Sequence, residues 1–260
     1  MELNLKGRKA LVTGGSKGIG FAIADELAAE GCDVAICSRQ AQELGQAAER
    51  LQQRSIRVHA RVADVTKPDD VRDLIETTVH ALGGLDILVN NAGGAHPGNF
   101  ETLSDEDWKA DLDVKLFSQI RCTREALPHL RNSSAPRVIN INAVYARYPD
   151  PAFFATTVNR AACLNLSKAL AIEFATDGIL VNSVNIGFVV TPQWENIRRR
   201  RAPDLSPQEF FARLASQEVP LGRFGDVREV SGLVAFLASD RASYLTGASI
   251  DVAGGMGKYV

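Results

Sequence analysis

The sequence lacks the features that would direct the chain to a membrane or a nucleic acid. No apolar run approaches the roughly 20 residues that a membrane-spanning helix needs. Residues 1–5, Met-Glu-Leu-Asn-Leu, lack the basic and then apolar order of a signal peptide. The formal net charge of -2 gives no electrostatic reason to expect a nucleic acid or an anionic membrane surface as partner. We therefore expect neither partner.

The sequence also has few cysteines. Cys32, Cys37, Cys122 and Cys163 show no Cys-x-x-Cys spacing and stand among apolar residues. Such cysteines are typical of small buried hydrophobic side chains in a reducing compartment. We predict free thiols, no metal site and a cytoplasmic protein.

Short apolar runs alternate with longer helical patterns along most of the chain. The predicted strands are residues 9–13, 33–37, 57–61, 86–90, 137–141, 179–183 and 248–252. The predicted helices lie near residues 18–31, 40–54, 68–82, 104–130, 151–176 and 226–239. Continuous apolar strands are typical of parallel strands that are covered on both faces. We predict an α/β protein: a single Rossmann domain over residues 1–260, with a doubly wound seven-stranded parallel sheet flanked by helices.

One segment interrupts this alternation. Residues 191–221 add helical sequence between the sixth and seventh strands. We expect this segment to form a substrate lid over the carboxyl edge of the sheet. It contains four consecutive arginines, Arg198 to Arg201, which could receive an anionic substrate or simply form a solvated helix face.

A glycine-rich turn joins the first strand to the first helix. It reads Thr13-Gly-Gly-Ser-Lys-Gly-Ile-Gly20. Gly14, Gly18 and Gly20 allow a sharp turn and close approach to a pyrophosphate, whose charge the helix N-terminus favours. The position between strand and helix makes this a strong dinucleotide-binding signal, in which Ser16, Lys17 and Ile19 also take part.

Further motifs follow in order. Asp64-Val65 follows the third strand, Asn90-Asn91-Ala92-Gly93 ends the fourth, and Tyr244-Leu-Thr-Gly247 precedes the seventh. With the glycine-rich turn, these segments resemble the short-chain dehydrogenase/reductase family from about residue 5 to residue 256. The resemblance implies cofactor contacts at Asp64, Val65, Asn91, Ala92, Gly93, Arg160, Gly187, Val189 and Thr191.

The end of the second strand distinguishes NADP(H) from NAD(H). A carboxylate there would accept hydrogen bonds from the ribose hydroxyls, whereas cations suit a 2′-phosphate. This strand ends in Cys37-Ser38-Arg39 without a carboxylate, and Lys17 adds a second cation. We predict NADP(H), with NAD(H) as the less favoured cofactor.

The four residues that usually carry the chemistry of this family are missing. A Ser, a Tyr, a Lys and an Asn are expected, but the matching positions hold Ala143, Thr156, Arg160 and Lys115. A threonine hydroxyl is too weak an acid to donate a proton near neutrality, and Arg160 stays protonated while still able to hold ribose hydroxyls or a developing negative charge. The usual proton donor is therefore absent.

Three other side chains are candidates for the missing donor. Tyr145 lies two residues beyond Ala143, on a loop that lines the pocket in the family. It is either the proton donor or a packing residue of the pocket wall. Lys115, close to Arg160 and partly buried, would have a lowered pKa that suits an acid, or it forms a structural ion pair. His96 follows the Asn91 segment, where it could donate a proton. The alternative is a solvated loop residue without a catalytic role.

Three functions remain open at this point. The first is an NADP(H)-dependent oxidoreductase of a small carbonyl or alcohol with a non-standard proton donor. The second is an inactive NADP(H)-binding sensor or structural subunit, and the third is a non-redox lyase or isomerase on the same scaffold. The resemblance also implies a homotetramer, with a dimer as the second choice.

Overall fold

A central sheet of seven parallel strands organises the fold of residues 2–257, the part of the chain that this computed structural model describes. The strands are β1 (Lys9–Thr13), β2 (Asp33–Ser38), β3 (Val58–Val62), β4 (Ile87–Asn90), β5 (Arg137–Ala143), β6 (Leu180–Ile186) and β7 (Ser249–Val252). Their order is β3-β2-β1-β4-β5-β6-β7, and every neighbouring pair is parallel. The predicted doubly wound parallel sheet is confirmed.

Helices follow the strands and cover both faces of the sheet. They are α1 (Gly18–Ala29), α2 (Ala41–Gln52), α3 (Pro68–Leu82), α4 (Asp105–Leu112), α5 (Ser118–Leu130), α6 (Phe154–Glu173), α7 (Pro192–Arg201), α8 (Pro207–Glu218) and α9 (Val227–Ala238). Local sequence explains several ends. Pro68 opens α3, and Gly83 closes it in the left-handed conformation at φ 78°. Ser104 and Asp107 form a capping box at the start of α4.

The strands are apolar because both of their faces are buried. In β1, Val12 packs into a core layer with α1 and α9, whereas its neighbour Leu11 packs into the opposite layer with α3 and α5. Since successive strand side chains alternate between faces, burial of both faces requires a continuous apolar run. No helix within residues 2–257 is long and apolar enough to cross a membrane.

One predicted helix is interrupted. The continuous helix predicted over residues 104–130 contains a π-helical turn at Asp113–Phe117, between α4 and α5. The wider turn carries Lys115, whose side chain is buried. Apolar periodicity along the sequence does not reveal a wider turn of this length, although such turns are frequent at functional sites.

The carboxyl ends of the strands form the edge that positions the site. Successive strands are added on one side of β1 up to β3 and on its other side from β4 onward. This change of side leaves a crevice between the carboxyl ends of β1 and β4. β5 and β6 run further than predicted, to Ala143 and Ile186, and bring their last residues to the crevice. The predicted lid segment forms α7 and α8, where Trp194 packs on the rings of Phe188 and Phe224.

Candidate active site

A cavity of about 450 Å³ opens at the crevice between β1 and β4. Every residue predicted to bind the cofactor lines it: Gly14, Ser16, Lys17, Gly18, Ile19, Gly20, Ser38, Arg39, Asp64, Val65, Asn91, Ala92, Gly93, Arg160, Gly187, Val189 and Thr191. From the lid segment, α7 contributes Pro192, Trp194 and Ile197 to the wall. The structure therefore brings residues from most of the chain to one place.

The glycine-rich turn is packed too tightly for side chains. Gly14 and Gly18 have φ values of 66° and 57°, which glycine adopts without strain. A Cβ on Gly20 would lie 2.2 Å from the Gly14 carbonyl oxygen and 2.4 Å from Asn91 Nδ2. The turn thus presents bare backbone at the N-terminus of α1, where a pyrophosphate is favoured.

Thr13 and Asn91 tie this turn to the segment after β4. The backbone amides of Asn91 and Ala92 both donate to Thr13 Oγ1 at 3.0 Å. Asn91 Nδ2 donates in return to the backbone oxygens of Thr13, at 2.9 Å, and Gly14, at 3.2 Å. The two loops that border the crevice are therefore held as one unit.

Two cations and two acids lie near the end of β2. Lys17 Nζ forms an ion pair with Glu43 Oε1 at 2.8 Å, and both side chains are largely exposed. Arg39 has no ion pair with any residue among 2–257, although its charge acts on Asp64. Burial raises the pKa of Asp64, but hydrogen bonds from Thr66 and the nearby cations outweigh it and lower that pKa overall. Arg39 is thus the cation available for a 2′-phosphate, since Glu43 holds Lys17.

The inner part of the cavity has polar atoms without a partner. Asn142 Oδ1 and Arg160 Nε are buried and unsatisfied within the described residues. Arg160 is otherwise anchored by Nη1, which donates to the Ile141 carbonyl at 2.8 Å. Both side chains line the cavity, where a ligand with hydroxyl or amide groups would supply the missing partners. Together with the bare glycine turn, they fit a dinucleotide.

The four residues that the sequence analysis matched to the family's catalytic positions meet at this inner wall. Lys115, Ala143, Thr156 and Arg160 all line the cavity. Lys115 is only 1% exposed, and its Nζ donates to Thr156 Oγ1 at 3.1 Å. The arrangement places an amine where the family pattern expects an amide.

Lys115 forms an ion pair, which was one of the two interpretations of this residue, but the sequence analysis did not identify the partner. Its Nζ also forms a buried ion pair with Asp111, one helical turn earlier. Asp111 in turn accepts from Asn159 Nδ2 at 2.8 Å. The i, i+4 spacing of an acid and a base was visible in the sequence. Burial of the pair was not, because it depends on α6 packing over α4.

The environment makes Lys115 a stronger acid than an ordinary lysine. Burial lowers the pKa of Lys115 most, and the positive charge of Arg160 lowers it further. Asp111 opposes both effects through its charge and its hydrogen bond, and the resulting pKa is about 8. A group of this acidity can give up a proton near neutral pH.

Tyr145 lies on the same wall but has the opposite property. Its ring stacks on Phe153 with 5.7 Å between the centroids. Burial raises the pKa of Tyr145, and the charge of Asp150 and a hydrogen bond to it raise that pKa further. The hydroxyl is therefore a weaker acid than a free tyrosine, which is unfavourable for proton donation.

The structure does not bring His96 to the cavity. His96 is absent from the lining residues, and its Nε2 lies 3.2 Å from Asp107 Oδ1 in the capping box of α4. Gly94 and Ala95 still line the cavity, and the chain then brings His96 to that helix. The role of His96 as a proton donor stays a prediction, which its place outside the cavity wall does not favour.

Two of the four arginines on α7 form ion pairs within the helix. Arg198 and Arg199 both pair with Glu195, at 2.7 and 3.4 Å. The guanidinium of Arg201 lies 5.9 Å from the ring centroid of Phe153, which lines the cavity. Of the run, Arg201 is thus placed beside the cavity wall.

The sheet order, the glycine turn and the crevice define a Rossmann-type dinucleotide-binding protein. A model of the family described as enoyl-(acyl carrier protein) reductase matches residues 14–257. The 3-oxoacyl-(acyl-carrier-protein) reductase FabG of Staphylococcus aureus is 34% identical over 250 residues, which cover 96% of this chain and 98% of that protein.

Two solved structures are also similar. L-sorbose reductase from Gluconobacter frateurii, complexed with NADPH and L-sorbose, superposes with a TM-score of 0.97 at 32% identity and full coverage of both chains. An NADPH-bound short-chain oxidoreductase from Pseudomonas aeruginosa PAO1, which contains an atypical catalytic center, gives a TM-score of 0.91. It is 37% identical, with 97% of this chain and 98% of that chain covered.

These likenesses extend over nearly the whole chain and include the nucleotide-binding turn. The chain belongs to the short-chain dehydrogenase/reductase family, and it is an oxidoreductase of that type.

Proposed function

We propose that the protein uses NADPH to reduce a small carbonyl compound to an alcohol, with Lys115 as the proton donor. The observation that carries this proposal is the buried amine of Lys115 on the inner cavity wall, bonded to Thr156 and Asp111. It replaces the family's usual acid with a different chemical group in the same cavity.

The cofactor is NADP(H). β2 ends in Ser38 without a carboxylate, and Arg39 stands at the cavity wall without an ion pair among residues 2–257. A cation at this position favours the 2′-phosphate over a free ribose hydroxyl. The solved relatives from Gluconobacter frateurii and Pseudomonas aeruginosa hold NADPH.

When bound, NADPH would supply a hydride for the new C–H bond at the carbonyl carbon and would leave as NADP+. Lys115 Nζ donates a proton to the carbonyl oxygen, so that the C=O double bond becomes a C–OH single bond. Arg160 stays cationic and stabilises the negative charge that develops on that oxygen. The neutral amine then takes a proton from solvent.

Lys115 is favoured over Tyr145 by acidity. General acids work best when their pKa lies near the working pH, and the pKa of Lys115 is about 8. Burial and Asp150 raise the pKa of Tyr145 instead. We assign Tyr145 a packing role, with its ring against Phe153.

The lid segment shapes the substrate site. Trp194 and Ile197 of α7 close one side of the cavity with apolar surface, which excludes water from the reacting atoms. Arg201 lies beside Phe153 and attracts an anionic substrate. We therefore place a small, anionic carbonyl compound first among substrates.

We further propose a cytoplasmic homotetramer. The four cysteines are free and buried, as in proteins of reducing compartments. Val158 and Ile172 lie four helical turns apart along α6 and are 46% and 70% exposed. Since large apolar side chains on one helix face favour association, α6 is the surface that we assign to the subunit interface.

The proposal is tested with Lys115→Met, compared with Lys109→Met as a matched control. Lys109 lies on α4 and is exposed, paired only loosely with Glu106 at 3.9 Å. NADPH oxidation and product formation are followed with a panel of small carbonyl compounds at pH 7. We expect Lys115→Met to lower kcat by about 10²–10⁴ because it removes the acid. Lys109→Met should retain wild-type kcat.

NADPH binding, measured by cofactor fluorescence, shows whether each variant is folded. If Lys115→Met does not fold, the wild-type pH profile decides, since reduction must slow as pH rises past about 8 and Lys115 loses its proton. Full activity of Lys115→Met, or a rate that is flat from pH 7 to 10, contradicts the assignment. Tight NADPH binding without turnover of any substrate would instead favour a sensor, and conversion without NADPH oxidation a lyase or isomerase.

A further inference from the structure

Asp111 carries a buried carboxylate. It lies next to the cavity but is not one of the residues that line it. Its side chain is 1% exposed, and it is absent from the cavity wall. A carboxylate removed from water is unfavourable unless charges and hydrogen-bond donors compensate it. The surroundings of Asp111 therefore indicate what this residue does.

Three donors converge on Asp111. Lys115 Nζ bonds to Oδ1, Asn159 Nδ2 donates to Oδ2 at 2.8 Å, and Thr156 Oγ1 approaches Oδ1 at 3.4 Å. The donors come from the π-helical turn and from α6, which faces α4. The carboxylate thus connects the helix that carries the amine with the helix that carries the hydroxyl.

The pattern of donors leaves one N–H bond of Lys115 free. An ammonium group has three protons, of which Asp111 and Thr156 accept two. Thr156 directs its only proton toward Asp111 and accepts from Lys115 with its lone pair. The third proton of Lys115, a residue of the cavity wall, is the one available to a substrate.

We propose that Asp111 is the positioning residue of this active site: it holds Lys115 and Thr156 so that one ammonium proton faces the substrate. This role rests on the proposed function, in which Lys115 is the proton donor. Asp111 itself touches neither cavity nor substrate.

The charge of Asp111 also sets the acidity of the donor. Three charged or titratable groups act on Lys115. Asp111 lies one helical turn before it, and Arg160 and Cys163 face it from α6. Burial and Arg160 lower the pKa of Lys115, Asp111 raises it, and the buried Cys163 thiol donates to the Lys115 carbonyl. Without the carboxylate, Lys115 would lose its proton at a lower pH.

The test is Asp111→Asn, with Asp113→Asn as the matched control. Asp113 lies two residues after Asp111, at the start of the π-helical turn that carries Lys115, and pairs with Arg121 at 2.7 Å. We expect Asp111→Asn to move the alkaline fall of the reduction rate down by at least one pH unit, which at pH 8 is a loss of kcat of at least about fivefold. KM and the NADPH dissociation constant should change little, and Asp113→Asn should keep the wild-type profile.

A second variant covers the case in which Asp111→Asn fails to fold. Asn159→Ala keeps the carboxylate and removes the donor to Oδ2. It should lower kcat several-fold and leave the position of the alkaline limb nearly unchanged, because the charge remains. A folded Asp111→Asn with wild-type kcat and pH profile, or Asn159→Ala with wild-type kcat, overturns the positioning role.

NMR of lysine-labelled protein separates this proposal from the proposed function. The Lys115 resonance is assigned by its loss in Lys115→Met, and its titration needs no substrate. If Asp111→Asn lowers that titration midpoint while Lys115→Met stays active, the coupling holds but Lys115 is not the donor. If Lys115→Met is inactive and the midpoint does not move in Asp111→Asn, the donor stands and the role of Asp111 is refuted.

Discussion

A methyl group added at Gly20 or at Gly45 gives opposite outcomes that follow from local packing. At Gly20, a Cβ would lie 2.2 Å from the Gly14 carbonyl oxygen, so backbone of the glycine turn must move. At Gly45, on the exposed side of α2, nothing lies within 4 Å of the added carbon. The two alanine variants therefore differ only in what surrounds the same atom.

The magnitudes follow from the two environments. Overpacking against a fixed backbone costs about 3 kcal/mol, at the upper end of ordinary core insertions. For a protein of this size, each kcal/mol moves Tm by about 2–4 °C, so Gly20→Ala should lower Tm by about 6–12 °C. Gly45→Ala should raise stability by about 0.5–1 kcal/mol, since alanine is the better helix former.

Cofactor binding separates the two variants more sharply. Displacement of the turn moves the backbone amides at the start of α1, so Gly20→Ala should weaken NADPH binding at least about tenfold. Gly45→Ala should bind as the wild type does. Thermal unfolding with and without NADPH measures both effects. A Gly20→Ala protein with wild-type Tm and NADPH affinity would refute the packing described for the turn.

Two further predictions concern surface groups. Glu43→Gln releases Lys17 from its ion pair, so that the Lys17 ammonium can contact the 2′-phosphate. The NADPH dissociation constant should fall about 2–5-fold at low salt, while NADH binding stays constant. An unchanged NADPH-to-NADH preference in fluorescence titrations speaks against a phosphate contact of Lys17. Val158→Glu places a charge on the exposed face of α6 and should reduce the mass measured by light scattering from that of a tetramer; a wild-type monomer would contradict the assembly.

The local sequence determined the sheet and the placement of the predicted cofactor-binding residues at its edge. Continuous apolar runs predict parallel strands. Both faces of such strands are buried, so polar and apolar residues do not alternate along them. The glycine turn, Asn91 and Arg39 each stand at the carboxyl end of a strand, and parallel strands bring those ends to one edge whatever the details of packing. Short-range pattern and simple topology were sufficient for these residues.

Tertiary structure decided the environment of each side chain at the inner wall. Sequence alone left Tyr145, Lys115 and His96 as open candidates, since acidity depends on burial and on charges that lie far apart along the chain. Packing of α6 on α4 buries the Lys115–Asp111 pair beside Thr156, and the loop after Gly93 takes His96 to Asp107 instead. These environments arise only when distant segments meet in the folded chain, which is why periodicity and motifs could not reveal them.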